Sequence, residues 1–334
     1  MGKKHQLRSN RMVATLRVPG EEVVRHRLKG KHILSAGQFS RADVEDVMRV
    51  AELMVKVDEH HPWCELLRGR ILASIFFEPS TRTYCSFLSA HQRLGGGVLP
   101  ILGVEFSSVA KGETFRDTMR AFEAMSHALV IRHKEDGSAA RAAEVLKKPL
   151  INGGDGKKEH PTQALLDLFT MLHEHRSHRI DGLTVTMVGD LAKGRTVHSL
   201  AKLLQQFNVR MNFVSRADKR LPEEIVSDLS AGNCAFACTD SLEDVLPETD
   251  VLYMTRTQME RMSDEELAVP SEPYCVSSET MKRAKPDMVL MHPLPRGSEI
   301  NEEVDADPRA AYFRQIENGV YVRMALLAMV LGAV

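Results

Sequence analysis

"FFEPSTRTYCSF", residues 76–87, closes an apolar run that begins at Ile71 and opens a segment of helical spacing with Phe87, Ala90 and Leu94 on one face. A strand-length apolar run, a polar turn and then a helical period make one half of a βαβ unit, in which a parallel strand passes to a crossover helix. The turn carries Ser80, Thr81, Arg82 and Thr83 and contains no glycine. A helix starting near Thr83 and closed by the "GGG" at 95–97 points its free N–H groups back at Ser80 to Arg82. Hydroxyl donors and a guanidinium at such a terminus match the tetrahedral oxygens of a phosphate. The simpler alternative is an N-cap, because Ser or Thr commonly starts a helix and is worth about 1 kcal/mol there.

The same alternation continues in both directions along the chain. Apolar runs of strand length stand at about Ile71–Phe77, Val98–Leu102, Ala128–Arg132 and Pro149–Asn152, all before His160. A second series follows at Leu183–Val188, Arg210–Ser215, Ala235–Cys238, Asp250–Thr255 and Met288–Met291. Between them lies "HPTQALLDLFTMLHEHRSH", where Pro161 suits the first helical position and Leu165, Leu168, Phe169 and Leu172 make one apolar stripe. The pattern predicts two doubly wound α/β domains with parallel sheets, joined by helices. No repeat of fixed period is visible.

Size and charge bound what such a chain can do. At 334 residues it suits two domains, and 43% hydrophobic with 27% charged residues is ordinary for a soluble globular protein. A formal net charge of -1 gives no global attraction to nucleic acid or to an acidic membrane, so any cation cluster is a local arrangement. Five scattered cysteines without an apolar signal segment predict reduced thiols and a cytoplasmic location. Cys234 and Cys238 form a lone C-x3-C, too little for zinc, and no metal or other cofactor is expected. "MALLAMVLGAV" at the C-terminus is too short to span a bilayer and reads as a packed helix. The first thirty residues are basic, nearly acid-free and without hydrophobic period; they read as a solvated arm or linker, or less well as a transit peptide.

In open parallel sheets ligands sit beyond the carboxyl ends of the strands. Those positions hold Glu78 and Ser80–Thr83 after the first run, Arg132 and His133 after the third, and "GGDGKKEHPTQ" after the fourth. In the second half they hold Asp190, Lys193 and Arg195, then Arg256 and Gln258, then "HPLPR" from His292 to Arg296. Any one arginine could simply pair with an acid on a solvated rim. Four at strand ends, two in each half, point instead to an anionic ligand. "GDLAKGRT", 189–196, has P-loop spacing, but Arg195 stands for the lysine that a P-loop needs, and Leu191 breaks the dinucleotide pattern.

Taken together, "FFEPSTRT", "KGET", "GDGKKEHPTQALLDLFT", "VGDLAKGRTVHSL", "DVLYMTR" and "MHPLPR" resemble the catalytic chain of the aspartate carbamoyltransferase family from about Lys31 to the C-terminus. "DADPRAAYFRQ" is most similar to the domain within the animal multifunctional pyrimidine-synthesis polypeptide. The resemblance implies a carbamoyl phosphate-binding domain of 31–165 with 317–334, an aspartate-binding domain of 166–316, and an arm at 1–30. It implies transfer of the carbamoyl group to L-aspartate, with no organic cofactor, in a homotrimer whose active sites are shared and which is possibly linked to other pyrimidine-pathway domains. By the same resemblance Ser80, Thr81, Arg82 and Thr83 hold the phosphate. Arg132, His160 and Thr83 donate to the carbonyl oxygen, Gln163 orients the carbamoyl amide, and the carbonyls near Pro293 and Leu294 accept from it. Arg195, Arg256 and Gln258 clamp the carboxylates of aspartate, while Ser107 and Lys111 come from a neighbouring subunit. Glu78 with Arg195 and Arg261 holds the closed state, and Leu294–Pro295 is expected to be cis.

Some positions depart from the family pattern. Lys134 replaces a proline, and Met259 and Ala192 each replace a lysine. An ornithine-specific member would have arginine at Tyr84 and cysteine at Pro293, so aspartate is the expected acceptor. An inactive member of the superfamily is the remaining alternative, and a nucleic-acid module would need more than the basic arm.

Overall fold

A computed structural model describes residues 27–103, 108–232, 234–256 and 274–334 of the chain. Nine strands among them form two wholly parallel sheets. The first holds β1 (Ile71–Phe76), β2 (Gly97–Leu102), β3 (Ala128–His133) and β4 (Leu150–Asp155) in the order β2-β1-β3-β4. The second holds β5 (Thr184–Val188), β6 (Arg210–Val214), β7 (Ala235–Thr239), β8 (Val251–Met254) and β9 (Val289–Met291) in the order β7-β6-β5-β8-β9. Each strand lies within three residues of the run expected for it.

Both faces of the central strands are covered, which is why their sequences are apolar runs rather than alternating ones. Leu72 and Phe76 of β1 point into a large core, while Ala73 and Ile75 point into a smaller one on the opposite face. The large core continues to Val185 and Met187 of β5 and Tyr253 of β8, so one apolar interior runs between the sheets. Their outer face is closed by a third cluster around Val188, Leu252 and Leu290.

Helices α1 (Arg41–Val55), α2 (Thr81–Arg93), α3 (Phe115–Met125), α4 (Ser138–Ala143), α5 (Pro161–Glu174) and α6 (Arg195–Leu204) connect and cover these strands. Helix α2 starts two residues earlier than its apolar spacing indicates, so Thr81, Arg82 and Thr83 form its first turn. Ser80 precedes it with no side-chain cap hydrogen bond, so the N-cap alternative does not account for the hydroxyls. Helix α5 departs from the expected single stripe: every residue from Pro161 to Met171 is buried. It packs against α1, α6, β4 and the C-terminal helix Tyr312–Val330, and so has no solvated face along those turns. That last helix, expected from "MALLAMVLGAV", returns to pack on α1, α2 and α5.

Within the segment read as an arm, Leu28 is buried and the Gly30 N–H donates to the Val330 carbonyl at 2.9 Å. The five cysteines are free thiols, and among the described residues no helix is long and apolar enough to cross a membrane.

Candidate active site

The strand order places a reversal between β1 and β3 in the first sheet and between β5 and β8 in the second. At such a switch point the connections leave in opposite directions and open a crevice at the carboxyl ends. Phe76 pairs with Arg132 at the end of the first crevice, and Val188 pairs with Met254 near the end of the second. The chain after β1 supplies Glu78 to Thr83, β3 supplies Arg132, the turn after β5 supplies Arg195, and the residues after β8 supply Thr255 and Arg256.

These groups converge on one cavity of about 440 Å³. Ser80, Thr81, Arg82, Thr83, Arg132, His160 and Gln163 line it from the first half, and Arg195, Arg256, Pro293 and Leu294 from the second. Leu294–Pro295 is cis, as expected, with Leu294 at φ 54°. Partial burial and the nearby Arg256 lower the pKa of the Arg82 guanidinium. Cations that repel one another in an enclosed site are stabilised by an anion between them.

Glu78 ties the two halves together. Its Oε1 accepts from Arg132 Nε at 2.7 Å and from Arg195 Nη2 at 3.2 Å. The Glu78–Arg195 contact is one member of the expected set Glu78, Arg195 and Arg261, and the Arg132 contact is an addition to that set. Arg195 is further held by the Gly156 carbonyl at 2.7 Å, and Arg132 by the Gly153 carbonyl at 3.4 Å. Gly154 lies between these carbonyls at φ 116°, and a Cβ there would stand 3.1 Å from Arg195 Cζ and 3.3 Å from Arg132 Nη1.

His160 immediately precedes α5, and its N–H donates to Ser199 Oγ at 3.0 Å. Ser199 in turn donates to Glu159, which also accepts from Lys202 and Ser35. The histidine is thereby fixed from α6 and from the loop before α1. On the other wall, His292 Nδ1 accepts from the Leu294 N–H at 2.8 Å, and its Nε2 lies 2.7 Å from Glu299 Oε1. Burial lowers the His292 pKa, so a neutral ring donating from Nε2 satisfies both partners and holds the 292–295 turn.

The cavity also has walls that the strand ends did not indicate: Ser86, Thr196, Thr255, Tyr312, Gln315 and Arg323. Arg323 lies in the middle of the apolar C-terminal helix and is 3% exposed. It donates to Ser86 Oγ at 2.9 Å and stacks over Phe87, and burial lowers its pKa to about 10. A charge inside an apolar helical stripe was the available signal. Lys111 is exposed and does not line the cavity within one chain. Ser107, Gln258, Arg261 and Met259 lie outside the described residues.

Two family models match the chain: "Aspartate/ornithine carbamoyltransferase, carbamoyl-P binding domain" over residues 31–173, and the corresponding "Asp/Orn binding domain" over 181–330. The chain is 47% identical to the aspartate carbamoyltransferase catalytic subunit of Thermococcus gammatolerans, covering 91% of this chain and 98% of that one. It is 48% identical to the multifunctional protein pyr1-3 of Dictyostelium discoideum over 92% of its length, but spans only 14% of that protein. Aspartate transcarbamoylase from Trypanosoma cruzi in complex with carbamoyl phosphate and aspartate superposes with a TM-score of 0.86 at 41% identity, covering 91% of this chain and 98% of that one. The ligand-free form of the T. cruzi enzyme superposes with a TM-score of 0.80 at 39% identity, covering 91% and 96%.

Proposed function

The chain belongs to the aspartate/ornithine carbamoyltransferase family, and on that premise we propose that it transfers the carbamoyl group of carbamoyl phosphate to the amine of L-aspartate, giving N-carbamoyl-L-aspartate and phosphate. The observation that carries this reading is the single cavity lined by Arg82 and Arg132 from one sheet and Arg195 and Arg256 from the other. The product is that of a step in de novo pyrimidine synthesis.

Two anionic reactants repel one another, and cations on both sides hold them in attack geometry. Positioning of this kind supplies roughly 7 to 11 kcal/mol of a bimolecular barrier. Ser80, Thr81, Arg82 and Thr83 receive the phosphate at the first turn of α2. Arg132 and His160, with Thr83, donate to the carbonyl oxygen as it becomes an oxyanion, and Gln163 with the carbonyls near Pro293 and Leu294 orients the amide. Arg195, Arg256 and Gln258 take the aspartate carboxylates. The amine attacks the carbamoyl carbon, the tetrahedral intermediate collapses, and the departing phosphate accepts the amine proton.

In this reading 31–165 with 317–334 forms the carbamoyl phosphate lobe and 166–316 the aspartate lobe. The active unit is a cytoplasmic homotrimer in which Ser107 and Lys111 complete the neighbour's site, and Arg261 joins Glu78 and Arg195 in closure. Kinship with the multifunctional relatives supports linkage to other pyrimidine-pathway domains. Incubation with carbamoyl phosphate and either L-aspartate or L-ornithine, scored for ureido product, tests the proposal. N-carbamoyl-L-aspartate alone is the expected product; citrulline, or no ureido product, overturns it.

A further inference from the structure

Asp167 is a carboxylate in the middle of the buried helix α5, with no exposed surface and no place in the cavity lining. Three donors from three elements meet on it. Its Oδ1 accepts from Gln163 Nε2 at 2.8 Å, one turn earlier on α5, and from Gln315 Nε2 at 2.6 Å, on the C-terminal helix. Its Oδ2 accepts from the Tyr253 hydroxyl of β8 at 2.8 Å. Gln315 passes the constraint onward, because its own Oε1 accepts from the His292 N–H at 3.0 Å.

An amide has one donor end and one acceptor end. With Nε2 of Gln163 tied to Asp167, Oε1 is the end left for the cavity that Gln163 lines. Turning the amide over would set its oxygen against an oxygen of the fully buried Asp167 carboxylate, an arrangement that buried polar groups avoid. The charged and titratable groups facing Asp167 are the Tyr253 hydroxyl and the Arg323 guanidinium. Burial pushes the Asp167 carboxyl up to about 7. Protonation leaves the orientation intact, since a proton on Oδ2 can be shared with Tyr253 while Oδ1 still accepts from both amides.

We propose that Asp167 is a positioning residue for substrate selection: by holding the Gln163 amide in one orientation it presents an acceptor to the cavity, and so selects an acyl phosphate that carries an N–H donor over its methyl isostere. The inference rests on the proposed carbamoyl transfer and adds the group that sets its discrimination. A site built to hydrogen-bond a donor rejects the analogue lacking it far more strongly than an apolar pocket rejects a methylene.

The test compares kcat/KM for carbamoyl phosphate and acetyl phosphate, with L-aspartate as acceptor, in the wild type, Asp167→Asn and Asp167→Leu. Asp167→Leu should lower the carbamoyl-to-acetyl ratio by ~10-fold or more. Asp167→Asn, which keeps an oxygen for both glutamines and turns its NH2 to Tyr253, should hold the ratio within ~3-fold of wild type. If Asp167→Leu does not fold, Asp167→Ser, too short to reach Gln163, takes its place. Equal losses with both acyl phosphates, or an unchanged ratio in the folded variant, overturn the inference and leave Asp167 a packing role only. A wild type inactive with both would count against carbamoyl transfer; the ratio is then read from calorimetric binding of the two acyl phosphates, where the same outcomes decide.

Discussion

One oxygen of Glu78 accepts from both Arg132 Nε, at 2.7 Å, and Arg195 Nη2, at 3.2 Å, so a single carboxylate sets the spacing of two guanidinia that belong to different sheets. Glu78→Gln keeps the shape and removes the charge. Both arginines then face the other cations of the cavity without that charge, held by the Gly156 and Gly153 carbonyls alone among the contacts described above, and their relative spacing loosens. Displacement of this order can cost ~10²-fold. kcat/KM for aspartate should fall by about that factor, measured by steady-state kinetics at saturating carbamoyl phosphate, with little change in melting temperature.

Arg132→Ala removes the cavity-lining guanidinium proposed to donate to the carbonyl oxygen. Loss of a donor to a developing oxyanion costs roughly 10² or more in kcat. Single-turnover rates with saturating substrates measure this; near-normal turnover would remove Arg132 from that role.

Gly154 occupies a left-handed backbone position, φ 116°, where a side chain is strained, and its missing Cβ leaves the space that the Arg195 and Arg132 guanidinia fill. Gly154→Ala should therefore cost about 1–3 kcal/mol of stability from the backbone alone. It should also lower activity by ~10-fold or more through displacement of the two arginines. A melting curve and a kcat/KM measurement on the same preparation separate the two effects.

His91 on α2 is fully buried, with Nε2 3.3 Å from the Arg70 carbonyl and, among the described residues, no partner for Nδ1. Burial lowers its pKa from 6.5 to about 4. Between those values the unfolded chain binds a proton that the folded chain refuses. The stabilisation is complete above about pH 6.5 and is lost as pH falls towards 4. The full loss is about 3 kcal/mol. His91→Gln, which cannot titrate, should melt with a shallower fall over this range than the wild type.

Much of this was legible in the chain. The strands could be read because sheets covered on both faces need unbroken apolar runs, and the cavity-lining turn 80–83 because hydroxyls and Arg82 stand where a strand passes to a helix. Less legible were the groups whose partners lie far away in sequence. Asp167 and Gln315 are 148 residues apart, and Arg323 and Ser86 are 237 apart. Helical spacing puts Asp167 opposite the leucine stripe of α5, where a solvated carboxylate is the ordinary reading, and Arg323 inside an apolar run; only the return of the C-terminal helix onto α2 and α5 gives them buried partners. Helix α5 was read as amphipathic because two turns of leucines dominate its pattern, while burial of Thr162, Gln163 and Asp167 depends on polar partners from other elements.

The central claim is that guanidinia from both sheets grip one ligand across one gap. N-(phosphonacetyl)-L-aspartic acid joins a phosphonate to a dicarboxylate in a single molecule, and calorimetry measures its affinity for the wild type, Arg82→Ala and Arg256→Ala. Tight binding by the wild type, weakened ~10²-fold or more by either substitution, is the result this account predicts. Binding that survives Arg256→Ala unchanged while Arg82→Ala abolishes it would mean that the second sheet contributes nothing to the site, and would contradict it.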